Sequence, residues 1–362
     1  MTDRKKRELR TGRTTGSCAT AAAMAGVIFL LTGETPATVD VPLPPGGTLS
    51  VPVDRYEPSD IGVRVTVIKD GGDDPDATHG HDIQAVVSLW AGIGVPLQVQ
   101  LDGGRGVGRA TLPGLPVEVG QAAINPEPRK QIEAGVRRIA RSMQSGTISV
   151  IIEVPDGENI AGKTLNPRLG ITGGISILGT QGIVKPYSHS SWKATIEEGL
   201  EVAKAQGIDH GIFTTGRRSE RLYLEANPAT PELALIQAAD FFEFSMQAAA
   251  ARGFSRVTWS LFFGKLVKQA QGLPYTHART HPIDFHGLAD WCGEAGCSIR
   301  QRQDIIDANT ARQVLTLLED DPSRPNLIQL LIRKATEAAE TFSGSLCSVD
   351  YAVFDFDGTR LG

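Results

Sequence analysis

The chain has 362 residues, 41% hydrophobic and 21% charged, which supports a sizeable core and leaves room for two domains. The formal net charge of −5 lacks the basic excess of a nucleic-acid binder, and the basic residues from Arg4 to Arg7 read as a solvated tail. Cys18, Cys292, Cys297 and Cys347 are too few for a disulfide framework and too loosely spaced for a zinc knuckle. The longest apolar run, Ala19 to Leu31, is short of the roughly 20 residues that span a bilayer. The expectation is a cytoplasmic protein with no membrane or nucleic-acid partner. The oligomeric state is left open.

Along the chain, Thr14 to Leu31 reads as an alanine-rich helix with Thr14, Thr15 and Ser17 as possible N-caps. Residues 39–53, rich in Pro and Gly, suit short edge strands. Val63, Val65 and Val67 alternate with polar residues as in a half-buried strand, and Leu97 to Leu101 alternates again. A loop surrounds Pro75. A helix is expected over Glu127 to Met143 and a strand over Thr147 to Val154.

The second half alternates strand and helix. The strands are Ile175 to Leu178, His210 to Phe213 and Val257 to Phe262. The helices are Trp192 to Gln206, Pro231 to Arg252 and a short one after Gly264. Such alternation implies right-handed crossovers and a parallel sheet, whose ligands sit at the carboxyl ends of its strands. Gly179, Gly216 and Gly264 are expected there. The fold class is therefore α/β, with a mixed α+β domain over residues 1–160 and a mainly parallel-sheet domain over 161–362. No Gly-x-Gly-x-x-Gly occurs, so a common Rossmann methyltransferase is not expected.

Two patterns compete for attention. Gly157 to Thr164 fits a P-loop and supports a rival reading as a nucleotide-dependent phosphotransferase. Against it, Asn166-Pro167 discourages the helix that a P-loop must open. Asp355-Phe-Asp357-Gly358-Thr359 matches a phosphatase nucleophile motif. It stands at the wrong end of the chain for one and reads as a terminal strand with a turn.

Four stretches together are more specific. They are Leu9 to Cys18 (LRTGRTTGSC), Lys69 to Thr78 (KDGGDDPDAT), Ala123 to Pro126 (AINP), and Leu165 to Pro186 with its run of glycines. They resemble the CbiD family, the cobalt-precorrin-5B C(1)-methyltransferases of anaerobic cobalamin (corrin) synthesis. The resemblance continues through Thr214 to Glu220, Asp240 to Phe242 and Gly264 to Val267. It departs at Arg13, where the family often has an aromatic residue, at Ala239, where a Gly is usual, and at Phe262-Phe263, where a Pro often precedes the Gly.

The resemblance implies methyl transfer from S-adenosylmethionine to C-1 of a tetrapyrrole, with any cobalt arriving as part of the substrate. The reaction needs orientation more than acid–base chemistry, so no catalytic side chain is assigned. Gly173, Gly174, Gly179 and Thr180, with Thr214, Thr215 and Gly216, are expected around the donor, and Asp240 is the carboxylate for its ribose or ammonium. Thr11, Gly12, Arg13, Thr14, Thr15, Arg168 and Lys185 are expected to meet the acceptor's carboxylates. No resident metal is expected; His79 with His81, and the group His277, His281 and His286, read as loop histidines. A tetrapyrrole carrier without chemistry is the non-enzymatic alternative.

Overall fold

The computed structural model describes residues 9–90, 92 and 96–362, so the basic cluster at residues 4–7 lies outside the description. The chain divides into two compact units, Met1–His189 and Ser190–Gly362.

Unit 1 begins with β1 (Gly12–Arg13) and α1 (Thr15–Thr32). The Thr14 side chain caps α1 by accepting from the Ser17 amide at 3.1 Å. Strands β2 (Thr38–Pro42), β3 (Thr48–Pro52), β4 (Arg55–Ser59), β5 (Gly62–Ile68), β6 (Asp82–Trp90), β7 (Gln98–Gly103), β8 (Gly106–Val107) and β9 (Arg109–Ala110) follow. Then come α2 (Pro126–Ile139), β10 (Thr147–Glu153), the short α3 (Gly157–Ala161), β11 (Ile171–Thr172), β12 (Gly174–Ile175) and β13 (Ile183–Val184). The main sheet runs β4-β5-β6-β10-β7, antiparallel except for the β10–β7 pair. Helix α1 packs on β5, β6 and α2. It is long and apolar enough to cross a membrane, but every residue from Thr15 to Val27 is buried. Its alanine surface is apolar all round, as a helix enclosed on all sides requires.

Helix α4 (His189–Ala205), all but its first residue in unit 2, is followed by β14 (His210–Thr214), α5 (Arg217–Ala226), β15 (Leu235–Gln237), α6 (Phe242–Ala251), β16 (Arg256–Phe262) and α7 (Phe263–Ala270). Helices α8 (Phe285–Glu294), α9 (Ile299–Ile306), α10 (Ala311–Leu317) and α11 (Ser323–Ser343) lead to β17 (Ser348–Phe354). The sheet is fully parallel in the order β15-β14-β16-β17. Its larger core centres on Trp259, which meets Phe213 at 5.0 Å and Phe242 at 5.4 Å between ring centroids. The chain leaves β14 toward one side through β15 and returns to its other side through β16. The switch point therefore falls between the carboxyl ends of β14 and β16.

Three expectations change. The boundary expected at residue 160 lies at 189, because residues 171–184 pair with unit 1 through β11–β9, β12–β8 and β13–β1. Gly179 therefore does not sit at an end of the parallel sheet, and of the strand expected over Ile175 to Leu178 only Ile175 lies in a strand, β12. The long helix expected over Pro231 to Arg252 is a 3-10 turn, then β15, then α6. Leu235 to Gln237 pairs with Ile212 to Thr214, and Ala239 turns the chain with φ at 50°.

Candidate functional site

A cleft of about 670 Å³ opens in unit 2 at the carboxyl ends of β14 and β16. That volume is typical of a small-molecule site, and the position is where open parallel sheets hold ligands. Thr215, Gly216 and Ser219 form one rim, just after β14. The Thr215 amide donates to Ser219 Oγ at 3.2 Å, and Ser219 Oγ donates to the Gly216 carbonyl at 2.9 Å, which fixes this turn. A Cβ built at Gly216 meets no described atom within 4 Å, so the backbone here faces open space. Loop residues 276–285 and the start of α10 supply the remaining walls.

Two aromatic rings and two guanidinium groups border the cleft as a stack. Phe262 and Phe356 lie 5.3 Å apart at 15°, with Arg218 over Phe262 and Arg312 over Phe356, each at 5.4 Å. Arg218 also donates to the Phe356 carbonyl. Each cation gains from the facing ring.

Behind them is a polar knot. Asp240 pairs with Lys265 and accepts from Thr276 Oγ1 at 3.2 Å. The Thr276 carbonyl accepts from both Lys265 at 3.2 Å and Lys268 at 3.1 Å. Burial and then the Lys268 ammonium push Lys265 down to about 8, and its ion-pair partner is Asp240. Burial also lowers Lys268. Among the described residues that line the cleft there are four cations, Arg218, Lys265, Lys268 and Arg312, and no carboxylate.

The residues expected around the donor are thus divided. Thr215 and Gly216 line the cleft. Thr214 is buried in β14, where its hydroxyl donates to Glu220 at 3.4 Å, and Asp240 supports the cleft through Lys265. Gly173, Gly174, Gly179 and Thr180 belong to unit 1. A Cβ on Gly174 would lie 2.0 Å from the Gly106 carbonyl oxygen, and one on Gly179 would lie 2.5 Å from Thr14 Cβ. These two glycines are accounted for by packing. Gly173 faces open space and Thr180 is exposed.

In unit 1 all four signature stretches interlock. The Gly16 amide donates to the Leu178 carbonyl at 3.2 Å, and Ser17 Oγ donates to the Gly182 carbonyl at 2.7 Å. Asn125 donates to Ile177, and Arg13 donates its amide to Asp70. Thr14 caps α1, while Thr15 Oγ1 accepts from the Leu178 amide. Gly12 pairs with Val184 in β1–β13. Arg13 reaches Asp70 at 3.5 Å. Thr11 and Lys185 are exposed, and Arg168 is half-buried.

The competing motifs resolve on geometry. A P-loop's Gly-Lys-Thr end opens a helix, whereas here α3 begins at Gly157 and ends before Gly162, leaving Lys163 exposed beyond it. Residues 157–164 therefore lack the geometry of a P-loop, which was the sole support for a nucleotide-dependent phosphotransferase. Asp355 pairs with Arg324 at 3.3 Å, and Asp357 caps a turn by accepting from the Thr359 amide, as a terminal strand and turn require. Loop 276–285 walls the cleft, but His277 and His281 are not among the residues that line it, and neither is His286. His79 Nδ1 accepts from the Gly71 amide, and His81 faces Asp156 at 3.4 Å.

Sequence reasoning missed Lys268, Arg312, Phe262 and Phe356. The available signal was Gly264-Lys265-Leu-Val-Lys268 directly after β16, which sets two cations three residues apart where a parallel strand ends.

Comparison with known proteins gives a consistent result. The CbiD family model matches residues 2–186, and the model of the CbiD C-terminal domain matches 275–362. A cobalt-precorrin-5B C(1)-methyltransferase of Nitratidesulfovibrio vulgaris is 47% identical over 99% of this chain and 93% of its own length. One from a Geobacillus species is 43% identical, covering 99% of this chain and 97% of that protein. A crystal structure of the cobalamin biosynthesis protein CbiD from Archaeoglobus fulgidus is 30% identical, covers 73% of this chain and 80% of that one, and has a TM-score of 0.40. The chain belongs to the CbiD family.

Proposed function

We propose that the chain transfers a methyl group from S-adenosylmethionine to C-1 of cobalt-precorrin-5B, giving cobalt-precorrin-6A, with the unit 2 cleft as the substrate site. The observation that carries this reading is the cleft itself. It lies at a switch point, combines apolar walls with four cations, and has no carboxylate among its described lining residues. An acidic tetrapyrrole needs an apolar surface for its ring and cations for its acetate and propionate groups. A non-catalytic carrier would need the same features, and the relatives' names, all methyltransferases, favour the enzyme.

When bound, S-adenosylmethionine supplies an electrophilic methyl on its sulfonium. The chain's task is then to hold a ring carbon in line with it. Orientation of this kind is worth roughly 7–11 kcal/mol at best. The open backbone at Gly216 and the Thr215–Ser219 turn suit the donor. Arg218 and Arg312 suit acceptor carboxylates. On unit 1, taken by itself, the exposed Thr11, Gly173, Thr180 and Lys185 and the half-buried Arg13 and Arg168 are signature residues we also propose for substrate contact.

Titration calorimetry with S-adenosylmethionine, alone and with the tetrapyrrole, tests this. Donor binding and release of S-adenosylhomocysteine with one methyl gained by the macrocycle are expected. No donor binding under either condition would refute the enzyme.

A further inference from the structure

We propose that Lys268 anchors a substrate carboxylate inside the cleft. Lys268 is 6% exposed and forms part of the cleft wall. Its ammonium has three donors, and the hydrogen bond seen goes to the Thr276 carbonyl. The nearest carboxylate in the knot, Asp240, is engaged by Lys265 and by Thr276 Oγ1. The one carboxylate of the knot is therefore taken by the half-buried Lys265, not by the buried Lys268. Among the described residues Lys268 forms no ion pair.

A buried cation without an anion is unfavourable, and a chain gains nothing by keeping one where apolar neighbours pack well. Leu266, Val267, Gln269 and Ala270, its neighbours on α7, are all buried. A methionine at 268 would pack there without the electrostatic penalty. A lysine is useful in that place when an anion arrives in the cleft. Burial lowers the affinity of Lys268 for its proton, and an anion arriving in the cleft would oppose that.

This inference rests on the methyl-transfer reading. A carboxylate reaches the cleft from either of two sources, the methionine end of the donor or the side chains of the tetrapyrrole. Two ligand pairs separate them. S-adenosylhomocysteine and 5′-methylthioadenosine share the adenosine thioether, and only the first has a carboxylate. Uroporphyrin and its amidated derivative share the macrocycle, and only the first has carboxylates.

Affinities of both pairs are measured by calorimetry on the full-length wild type, Lys268→Met and Lys268→Arg. A charge-assisted contact implies a preference for the carboxylate form of about 10- to 100-fold. That preference should vanish in Lys268→Met for one pair and return in part in Lys268→Arg. The pair affected names the source. A packing role alone would weaken both members of a pair equally. If the methionine variant does not fold, Lys268→Gln is read in the same way. Unchanged preferences in both pairs, or no preference in the wild type, would overturn the proposal. Methyl transfer with unchanged preferences sinks only this proposal. A Lys268-dependent preference without methyl transfer sinks only the enzyme reading.

Discussion

Replacing Asp240 by Asn removes the counter-charge of Lys265 while keeping an oxygen for the Thr276 hydroxyl. Two unit charges about 4 Å apart, at the effective dielectric of about 20 suited to partly buried sites, attract by about 4 kcal/mol. The two side chains are 27% and 18% exposed, so water and side-chain ordering reduce the net effect to about 2 kcal/mol. The loss should depend on pH in a definite direction. Lys265 has an ordinary value of 10.5 and is held at about 8 in the folded chain. Below 8 both folded and unfolded states carry the proton, so the pair is charged and the substitution has its full effect. As pH rises through 8, the folded lysine loses its proton first and the Coulomb part disappears. In the wild type, the contribution of this group to stability rises over the same window, from 8 toward 10.5. Urea unfolding followed by tryptophan emission, in a Trp90→Phe background, reports on this unit, because the other three tryptophans, Trp192, Trp259 and Trp291, all lie in it. The destabilisation should be about 2 kcal/mol near pH 7 and below about 1 kcal/mol near pH 9.5. An equal destabilisation at both pH values would refute the reasoning.

Two further substitutions bear on the signature stretches. Gly174→Ala places a methyl 2.0 Å from the Gly106 carbonyl oxygen and should destabilise unit 1 by more than about 4 kcal/mol, whereas Gly173→Ala meets open space and should cost about 1–2 kcal/mol for its left-handed backbone. Similar unfolding midpoints for the two variants would contradict the packing role of Gly174. Lys163→Ala should leave methyl transfer within about twofold of wild type, since a change under about 0.5 kcal/mol is usual for an exposed side chain away from any site. An outright loss of activity would reopen the nucleotide question.

The parts of the fold that were legible carried local signals. The valine alternation of β5, the capped alanine helix α1 and the glycine-ended α4 follow from period and capping alone. Strand β6 was missed because Ile83 to Ser88 is buried throughout, and a central strand with both faces covered does not alternate. The stretch over 231–252 read as one helix because Leu235, Ile236 and Ala238 suit either state. Edge pairing to β14 and the turn at Ala239 decided it. Ala239 was visible as a departure from a usual glycine, and its φ of 50° gives that departure a physical meaning. For the site, Thr215 and Gly216 could be found from the glycine turn after a strand. Lys268 could not, because its importance lies in burial without an anion, and burial is a tertiary property. The glycine-rich signature pointed to a ligand, yet Gly174 and Gly179 meet backbone and side chain of their own unit. A glycine that admits a ligand and one that admits another strand look identical until the partner is in place.

The place of β17 at the edge of the parallel sheet has a consequence for how the protein is made. Its partner β16 is complete long before it, and their Arg256–Asp350 ion pair joins residues 94 positions apart. Phe356, which borders the cleft, lies beyond β17. During synthesis at about 5–20 residues per second, unit 1 has all its strands while β16 still waits for its neighbour. For several seconds the chain therefore presents an unpaired parallel edge and half a binding site. Synonymous changes that slow translation between residues 262 and 348 should lengthen that interval and lower the soluble yield of the whole protein.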